Sequence, residues 1–419
     1  MLDKKIVGEN IADYRKRKEL TQRELAEQLN ITAQSVSKWE AGLSLPTVDI
    51  LYDLASVLEV NVDSLLSDKA TRNRDICYRD TGLDTDWLYN LKAELDDLVT
   101  EDEKLLHTHY IDPSIFQLDL SEYEEPVFSL ITSVPGSKAR MARDRGYDKE
   151  ICADVVARSI NHVLRMGLMP KILQAHVVCG NKESFQLKEM ALSLKKTCEE
   201  NGVIYAGMEI GCQPVNFRPN EYEISVALVG AADKQDLLES AKIQEGDVII
   251  GLMTEGIEAS SYPFIRVMLD RKPEMAYEKI DGKHYFIDEI MKPNRAFTHA
   301  IQELKESKIL HGICRTENTI FFDGPWYHLP DGMGAALNLS NFPIKPLYRY
   351  LQGLDMIGKN FFPYRFGMGI GMMVIVPKRQ ADYAMKLIQK YHECHIIGRI
   401  ENNESHQGKR VWTEGKMSW

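Results

Sequence analysis

Apolar residues recur at helical spacing through the first 67 positions of the chain and divide them into five segments. Residues three and four apart share one face of a helix, so each segment predicts a short helix with one buried face. The apolar stripes are Ile11 and Tyr14; Leu25, Ala26 and Leu29; Val36 and Trp39; Leu51, Leu54, Ala55 and Leu58; and Val62, Leu65 and Leu66. We expect an all-α head of five helices, the first running from about Gly8 to Lys18.

Polar residues between these stripes mark where the second and third helices begin and end. Thr21 is a good N-cap, and Glu24 three residues later completes a capping box. Asn30 stands at the turn, where a residue that tolerates left-handed backbone is required. Thr32 caps the third helix and Gly42 ends it. The spacing therefore predicts two short helices joined by a tight turn.

From Pro126 onwards, alternating strand and helix patterns replace the continuous helical spacing. Apolar runs of strand length include PVFSLITSV, KILQAHVVCG, VIYAGMEI, EYEISVALVG, DVIIGLMTEG, GIGMMVIVP and HIIGRIE. Amphipathic helices separate several of these runs. Two such series of similar size, each with mostly antiparallel strands, predict an α+β architecture of two lobes.

The polarity of the remaining stretches suggests where the domains end. A stretch between the head and the first lobe is polar and lacks apolar periodicity, so it is interpreted as a linker. The last residues are polar with two tryptophans, and they are interpreted as a final strand or as an arm on a partner subunit. The predicted divisions are a head at 1–67, a linker at 68–77, lobes at 78–233 and 234–401, and a tail at 402–419.

The composition is that of a globular protein with several domains. The chain has 419 residues, of which 44% are hydrophobic and 27% are charged. No apolar run reaches the roughly 18 residues of a membrane helix, and the charged N-terminus lacks a signal-peptide core. We therefore expect no membrane contact and a cytoplasmic location. The seven cysteines are scattered without a CxxC pair, which indicates reduced thiols and no zinc site.

The exposed face predicted for the third helix carries short polar side chains and one amine. Gln34 can bond an adenine edge through two hydrogen bonds, while Ser35, Ser37 and Lys38 can reach bases or phosphates. The other predicted DNA contacts are Arg15, Arg17, Gln22, Arg23 and Thr32. The net charge of −11 argues against nonspecific nucleic-acid binding, so the basic groups must lie together on one face. A protein-interaction module with a solvated polar face is the alternative.

The pattern TQxELAxxLxI followed by SxWExG resembles the lambda-repressor or Xre-type helix-turn-helix family, with no gap from Ile6 to Leu66. The resemblance implies binding to double-stranded DNA as a dimer, with two recognition helices about one DNA turn apart. It favours the DNA-binding interpretation over the interaction module. It gives neither the operator sequence nor the direction of regulation.

The segment from Tyr78 to about Glu401 resembles AIR synthase (phosphoribosylformylglycinamidine cyclo-ligase), an ATP-dependent enzyme of purine synthesis. The matching motifs are YRDTGLD, EICADVVARSINHVLRMGLMP, YAGMEIGCQP, GDVIIGLMTEGIEASSYPFIR, LPDGMGAALNLSNFPIKPLYRYLQ, GMGIGMMVIVP and IIGRI. The resemblance implies a two-lobed α+β module that forms a homodimer, in a family whose members hold magnesium and ATP.

Several positions depart from the acidic motifs of that family. Acidic residues of the family are replaced by Ser133, His162, Ala175 and Cys212. The resemblance therefore implies weakened magnesium binding, because this hard cation requires carboxylate oxygens. We predict no catalytic residue and no metal ligand. The family positions that survive, with one neighbouring arginine, form the predicted ligand site: Lys138, Arg140, Asp154, Asn161, Glu209 and Asn318.

Other interpretations of the surviving residues stay open. Asp154 and Asn161 are also compatible with purely structural roles, and the basic run around Lys138 with a solvated helix face. The sequence as a whole predicts a transcriptional regulator whose degenerate AIR synthase-like module forms a dimer. That module would sense a nucleotide, ATP among them, or another purine-related compound. The alternatives are an active ATP-dependent cyclo-ligase with a DNA-binding head, and an oligomeric scaffold that binds no ligand.

Overall fold

The computed structural model describes residues 3–66, 82–99, 115–116, 120–180, 184–218, 220–237, 242–315, 321, 326, 328–358 and 362–419. The chain divides into two compact units, Met1–Asp80 and Thr81–Trp419, which we call the head and the module. The predicted linker at 68–77 lies outside the described residues. Within the described part of the chain, every helix is too short or too polar to cross a membrane.

The head contains the five helices predicted for it. They are α1 (Lys4–Arg17), α2 (Gln22–Gln28), α3 (Ala33–Glu40), α4 (Val48–Val57) and α5 (Val62–Leu66). Helix α1 begins before the predicted start at Gly8, because the Asp3 carboxylate accepts a hydrogen bond from the Lys5 backbone N–H at 2.8 Å and caps the helix. The predicted apolar stripes meet in a single core.

The predicted caps of α2 and α3 are confirmed. The Glu24 backbone N–H donates to the Thr21 hydroxyl at 3.2 Å, and the Glu24 carboxylate accepts from the Thr21 backbone N–H at 2.7 Å. The Thr32 hydroxyl accepts from the Ser35 backbone N–H at 3.3 Å. Asn30 adopts the expected left-handed backbone, with φ of 52°. Local sequence chemistry therefore determines both ends of the helix-turn-helix.

Helices α1 and α3 cross at Gly8. A Cβ atom at this position would stand 2.2 Å from the carbonyl oxygen of Trp39, so a larger residue would push the helices apart. This close crossing brings the side chains of α1 within reach of the C-terminal end of α3.

The module contains two sheets with helices packed against them. Its helices are α6 (Thr85–Asp96), α7 (Ser137–Arg143), α8 (Asp148–Arg165), α9 (Ser184–Glu199), α10 (Tyr262–Arg271), α11 (Phe286–Met291), α12 (Thr298–Glu306), α13 (Pro346–Gly353), α14 (Pro363–Phe366) and α15 (Ala381–Gln389). Its strands are β1 (Pro126–Ser133), β2 (Met169–Cys179), β3 (Ile204–Cys212), β4 (Tyr222–Asp233), β5 (Val248–Met253), β6 (Gly312–Arg315), β7 (Met333–Asn338), β8 (Ile370–Val376), β9 (Cys394–Asn402) and β10 (Val411–Glu414).

The strand orders confirm the predicted α+β architecture. One sheet has the order β1-β4-β2-β3 and the other the order β10-β7-β9-β5-β8-β6. Among the described strand pairs, β2–β3 and β10–β7 are parallel and the others are antiparallel. In the tail, β10 pairs with β7 of the same chain, which favours the final strand over the arm on a partner subunit.

Helix α8 lies at the centre of the module. It packs against β1, β2 and β4 of the four-stranded sheet and against β6 of the six-stranded sheet. Eleven of its residues are buried, including the polar side chains of Asp154 and Asn161. Polar groups of α8 are therefore placed between the two lobes.

Candidate DNA-binding face and candidate ligand site

One side of α3 exposes the polar residues predicted to read DNA. Gln34, Ser37 and Lys38 are exposed, whereas Val36 and Trp39 on the opposite side are buried in the core of the head. Lys38 has no carboxylate partner among the residues that the structure describes, so its charge is available to an anion. We call these three exposed residues the α3 face.

Two further predicted residues support the start of α3. The hydroxyls of Thr32 and Ser35 lie 2.9 Å apart and bond each other, while the Thr32 hydroxyl also caps the helix. Thr32 is exposed and Ser35 is half-buried. Both hydroxyls therefore have a local structural role, and Thr32 remains accessible at the end of the helix.

A half-buried ion pair holds α3 against α1. The Arg15 guanidinium donates to both oxygens of Glu40, through Nε at 2.6 Å and Nη2 at 2.9 Å. Its Nη1 donates to the Leu20 carbonyl oxygen at 2.6 Å. The Gln22 amide donates to Glu40 at 2.8 Å, which ties the start of α2 into the same group. Arg15 and Gln22, both predicted as DNA contacts, thus position α3 through Glu40.

The charges of this pair stabilise each other. Burial acts to raise the pKa of Glu40, but hydrogen bonds from Arg15 and Gln22 outweigh it and leave the pKa below its ordinary value. The hydrogen bond to Glu40 raises the pKa of Arg15. Both groups therefore stay ionised, and little of the Arg15 charge is left for DNA.

Arg17 and Arg23 are exposed and pair within their own helices. Arg17 donates to Asp13 at 2.9 Å, and Arg23 donates to Glu27 at 3.0 Å. Exposed pairs of this kind contribute little to stability and exchange readily with solvent. Their guanidinium groups therefore stay accessible to a DNA phosphate.

Lys138 of the predicted ligand site is fully buried in the module. Its ammonium group donates to Asp154 Oδ1 at 3.0 Å and to the Lys292 carbonyl oxygen at 2.8 Å. Asp154 Oδ1 also accepts from the backbone N–H and the side-chain amide of Asn294, at 2.8 and 3.1 Å. This burial corrects the interpretation of Lys138 as part of a solvated helix face. The pair instead fastens segment 292–297 of the second lobe to α8.

Asn161 lies further along α8 and also bonds the backbone of segment 292–297. Its amide donates to the Arg295 carbonyl oxygen at 2.8 Å and its carbonyl oxygen accepts from the Phe297 backbone N–H at 3.2 Å. Asp154 and Asn161 therefore act together on one segment, and both have the structural role that the sequence left open.

The described residues do not fit a magnesium ion. No three His, Cys, Asp or Glu side chains within them lie close enough together to hold a metal. The second oxygen of Asp154 is buried without a hydrogen-bond partner there, but the Lys138 ammonium group stands beside the same carboxylate. Glu209 is partly exposed and lies 3.7 Å from the Lys92 ammonium group. Magnesium takes several oxygen ligands in a near-octahedral arrangement, which one carboxylate beside an ammonium group does not supply.

An arginine-lined cavity opens beside α7. It has a volume of about 810 Å³, and Arg140, Arg143 and Arg218 lie in its wall with Tyr222 and the carboxylates of Glu221 and Glu223. Arg143 is partly held there, since its Nη1 donates to the Tyr222 carbonyl oxygen at 2.9 Å. Arg140 and Arg218 are exposed. Of the predicted ligand residues, Arg140 thus lies at a cavity, Lys138 is buried behind it on the same helix, and Asn318 lies outside the described residues.

Sequence reasoning missed the partners that give these residues their roles. In the head, Glu40 is the carboxylate that Arg15 bonds. In the module, Asn294 donates to the Asp154 carboxylate that also pairs with Lys138. Arg143 and Arg218 complete the arginine-lined cavity. Glu40 follows the buried Trp39 directly, which was a usable signal. Asn294 and Arg218 are too far from their partners along the chain for any local pattern to show them.

Comparison with known proteins defines the class of each unit. Residues 11–65 match the family model described as helix-turn-helix. Phosphoribosylformylglycinamidine cyclo-ligase from Oceanobacillus iheyensis is 27% identical over 291 residues, which cover 69% of this chain and 85% of that relative.

Solved structures share the fold of the module at low identity. Thiamine-monophosphate kinase from Stenotrophomonas maltophilia K279a has a TM-score of 0.53 at 14% identity and covers 80% of this chain and 96% of that chain. Hydrogenase maturation protein HypE in complex with ATP has a TM-score of 0.54 at 13% identity, covering 78% and 91%.

These findings define a two-part protein: a helix-turn-helix head, and a module that shares its fold with these relatives. In particular, the chain joins an Xre-type helix-turn-helix head to an AIR synthase-like module.

Proposed function

We propose that this protein is a transcriptional regulator that binds double-stranded DNA through the α3 face. The observation that carries the proposal is the exposure of Gln34, Ser37 and Lys38 on one side of a helix that Arg15 and Glu40 hold in place. A helix with such side chains enters the major groove, where glutamine bonds adenine and lysine reaches phosphates or guanine. Binding to DNA is compatible with the cytoplasmic location expected from the sequence.

Binding to DNA from the protein's own promoter region, compared with random duplex at several salt concentrations, tests the proposal. We expect a salt-dependent preference for the promoter DNA. Lys38→Ala should weaken binding to both duplexes and reduce the salt slope by about one if Lys38 contacts a phosphate. Lys378→Ala, which changes an exposed lysine of the module, is the matched control. Equal affinity for promoter and random duplex would contradict the proposal.

A homodimer is the second part of the proposal, because operators are bound by two recognition helices. Strand β1 lies at the edge of its sheet and exposes Phe128 and Leu130 on one face, at 48% and 69% of their surface. Residues two apart on a strand share a face, so the two side chains form one apolar surface next to Val229 of β4. Covering it with a second copy would remove this surface from water.

Light scattering of two variants tests the dimer. Leu130→Asp places a charge in the proposed interface and should yield a monomer that has lost most of its operator affinity. Leu192→Asp changes another exposed leucine, on α9, and should leave the dimer intact. A dimeric Leu130→Asp variant would exclude β1 as the interface.

The module would sense a phosphate-bearing ligand, with a nucleotide or a purine-pathway compound as the proposed class. Arginines recognise phosphate through paired hydrogen bonds, and Arg140, Arg143 and Arg218 meet at a cavity large enough for a small molecule. The HypE structure of the same fold contains ATP, which supports the class of ligand without defining its position here. We propose binding without magnesium, since the described carboxylates do not fit that ion.

A melting-temperature screen with ATP, ADP and purine-pathway phosphates, with and without magnesium, tests this part. A ligand that binds the folded protein raises the melting temperature by mass action. Arg140→Gln with Arg218→Gln should remove the increase, whereas Arg379→Gln, at an exposed position elsewhere, should keep it. An increase that requires magnesium would contradict the proposed mode of binding.

An active cyclo-ligase is the second candidate, favoured by the similarity to the Oceanobacillus iheyensis enzyme over 69% of this chain. It predicts ADP release from ATP with formylglycinamidine ribotide. We expect no release, because Ser133, His162, Ala175 and Cys212 stand where the resemblance implies acidic residues for holding magnesium. Release that Lys138→Met abolishes, in folded protein, would establish the enzyme instead.

A further inference from the structure

Two cysteines meet at the ends of neighbouring strands in the module. Cys179 of β2 and Cys212 of β3 are direct partners in the last pair of the parallel ladder. Directly paired residues of neighbouring strands share one face of the sheet, and the Cys212 thiol donates to the Gly180 carbonyl oxygen at 3.1 Å. Neighbouring strands lie about 4.8 Å apart, which is within the range of Cα separations that a disulfide spans, about 4.4–6.8 Å.

The backbone holds this pair in place. Gly180 packs so closely that a Cβ atom there would stand 2.5 Å from the Arg218 carbonyl oxygen. Its N–H donates to the Glu221 carbonyl oxygen at 3.1 Å, and the Gln213 N–H donates to the Cys179 carbonyl oxygen at 2.7 Å. Both cysteines are thus fixed at a packed corner, which is the same corner that positions Arg218 of the arginine-lined cavity.

The pair differs from the other described cysteines. Cys152, Cys198, Cys314 and Cys394 are buried, whereas Cys212 is only half-buried and reachable from solvent. Cys314 instead contacts the His328 imidazole at 3.0 Å, and Cys394 contacts the Met385 sulfur at 3.4 Å. An accessible thiol with a second thiol directly beside it is the arrangement of a reactive and a resolving cysteine.

We propose that Cys179 and Cys212 form a dithiol that a hydroperoxide converts into a disulfide. The Cys212 thiolate attacks the peroxide, breaks the O–O bond and becomes a sulfenic acid. When the oxidant is hydrogen peroxide, hydroxide leaves and takes up the proton that the thiol had lost, so that one water is formed. The Cys179 thiol then attacks the sulfenic sulfur, the S–O bond breaks, and a second water leaves. Two thiols are oxidised by two electrons and one peroxide is reduced, so atoms and electrons balance. This site lies outside the proposed DNA and ligand functions.

The environment of Cys212 determines how fast its thiolate reacts with the peroxide. Burial raises the pKa of this thiol, the contact with Cys179 lowers it, and the result lies above the ordinary value. The thiolate is the attacking species, so oxidation should be slow at neutral pH and about tenfold faster for each unit by which the pH rises below that pKa.

The test treats the full-length folded protein with hydrogen peroxide, blocks the remaining thiols and maps the peptides by mass spectrometry. We expect a loss of two hydrogens per chain and one cross-linked peptide pair that contains Cys179 and Cys212. The oxidised protein should melt at a higher temperature, because the bond closes a loop of the unfolded chain. Treatment with a thiol reductant should reverse both changes.

Two serine variants make the result specific. Cys212→Ser should abolish the cross-link, and Cys394→Ser, which changes a buried cysteine elsewhere in the module, should leave it unchanged. Oxidation of Cys212 alone in the wild-type protein, with Cys179 still free to be alkylated, would overturn the proposal. The wild-type peptide map decides the question even if a variant does not fold.

Discussion

Two lysines, one in each unit, show how differently the head and the module use the same side chain. Lys38 is exposed on α3 with no carboxylate partner among the described residues, and Lys138 is fully buried against Asp154. The sequence predicted ligand contact for both. An ammonium group that is free in solvent can bind an anion at little cost, whereas a buried one is already neutralised. Burial, and not residue type, therefore separates a lysine that can contact a ligand from one that is already paired inside the fold.

The same comparison holds for the ion pairs that organise each unit. In the head, Arg15 and Glu40 join two helices and leave the opposite face of α3 exposed. In the module, Lys138 bonds both Asp154 of α8 and the Lys292 carbonyl oxygen of the second lobe. One pair holds a helix whose opposite side is exposed, and the other connects two buried segments.

The largest expected effect follows from breaking the module's pair. Lys138→Met leaves the Asp154 charge buried without its ammonium partner, which should lower the free energy of unfolding of the module by about 3–5 kcal/mol. Denaturant unfolding measures the change. Adding Asp154→Asn removes the uncompensated charge and should recover at least about half of the loss. Lys378→Met, at an exposed position, is the control, and an equally small effect of both variants would show that the buried pair is not needed.

Breaking the head's pair should have a smaller effect, because water and Gln22 can partly compensate Glu40. Arg15→Met should destabilise the head by about 2–3 kcal/mol, so amide hydrogens of α1 and α3 should exchange about a hundredfold faster. Hydrogen exchange followed by mass spectrometry measures this. Arg17→Met, on the same helix but exposed, should change the free energy of opening that governs exchange by less than about 0.5 kcal/mol. If the two variants behave alike, the contact with Glu40 has no positioning role.

The elements that rest on local chemistry could be predicted from the sequence. The hydrogen bonds between Thr21 and Glu24 and between Thr32 and Ser35 join residues three apart, so both helix caps could be predicted from local sequence. Alternating apolar runs likewise predicted most strands of the module. Short elements such as α11 and β6 were missed, because six and four residues carry too little periodicity to stand out.

The roles of the predicted site residues could not be read in the same way. Lys138 bonds a carbonyl oxygen 154 positions away, and Asn161 bonds one 134 positions away. Such contacts depend on how the lobes fold together, which no local pattern encodes. The family resemblance pointed to these positions as a ligand site, and their tertiary contacts show in addition that both residues connect distant segments of the module.

Removing base recognition from the exposed face should change DNA affinity without changing stability. Gln34→Ala removes one predicted contact with an adenine edge, which should weaken operator binding by about 1–2 kcal/mol and relax preference at one base pair. Titration of operator variants substituted at single positions measures both effects. Gln28→Ala, at an exposed position of α2, serves as the control. A loss of affinity that is equal for all duplexes would assign Gln34 to the phosphate backbone instead.

His392, a titratable side chain beside segment 292–297, should make the stability of the module depend on pH. The His392 ring packs against Phe297 at 4.8 Å, and burial, with a smaller contribution from Arg295, lowers its pKa to about 4. The unfolded chain, with a histidine pKa near 6.5, takes up this proton first as the pH falls. Stability should therefore be complete above about pH 6.5 and decline by about 1 kcal/mol towards pH 4, after allowance for the partial exposure of the ring.

Melting temperatures across this range should fall less steeply for His392→Gln than for the wild type. His284→Gln, at an exposed histidine, should follow the wild-type curve, and the same slope for all three proteins would show that His392 does not limit the fold in acid.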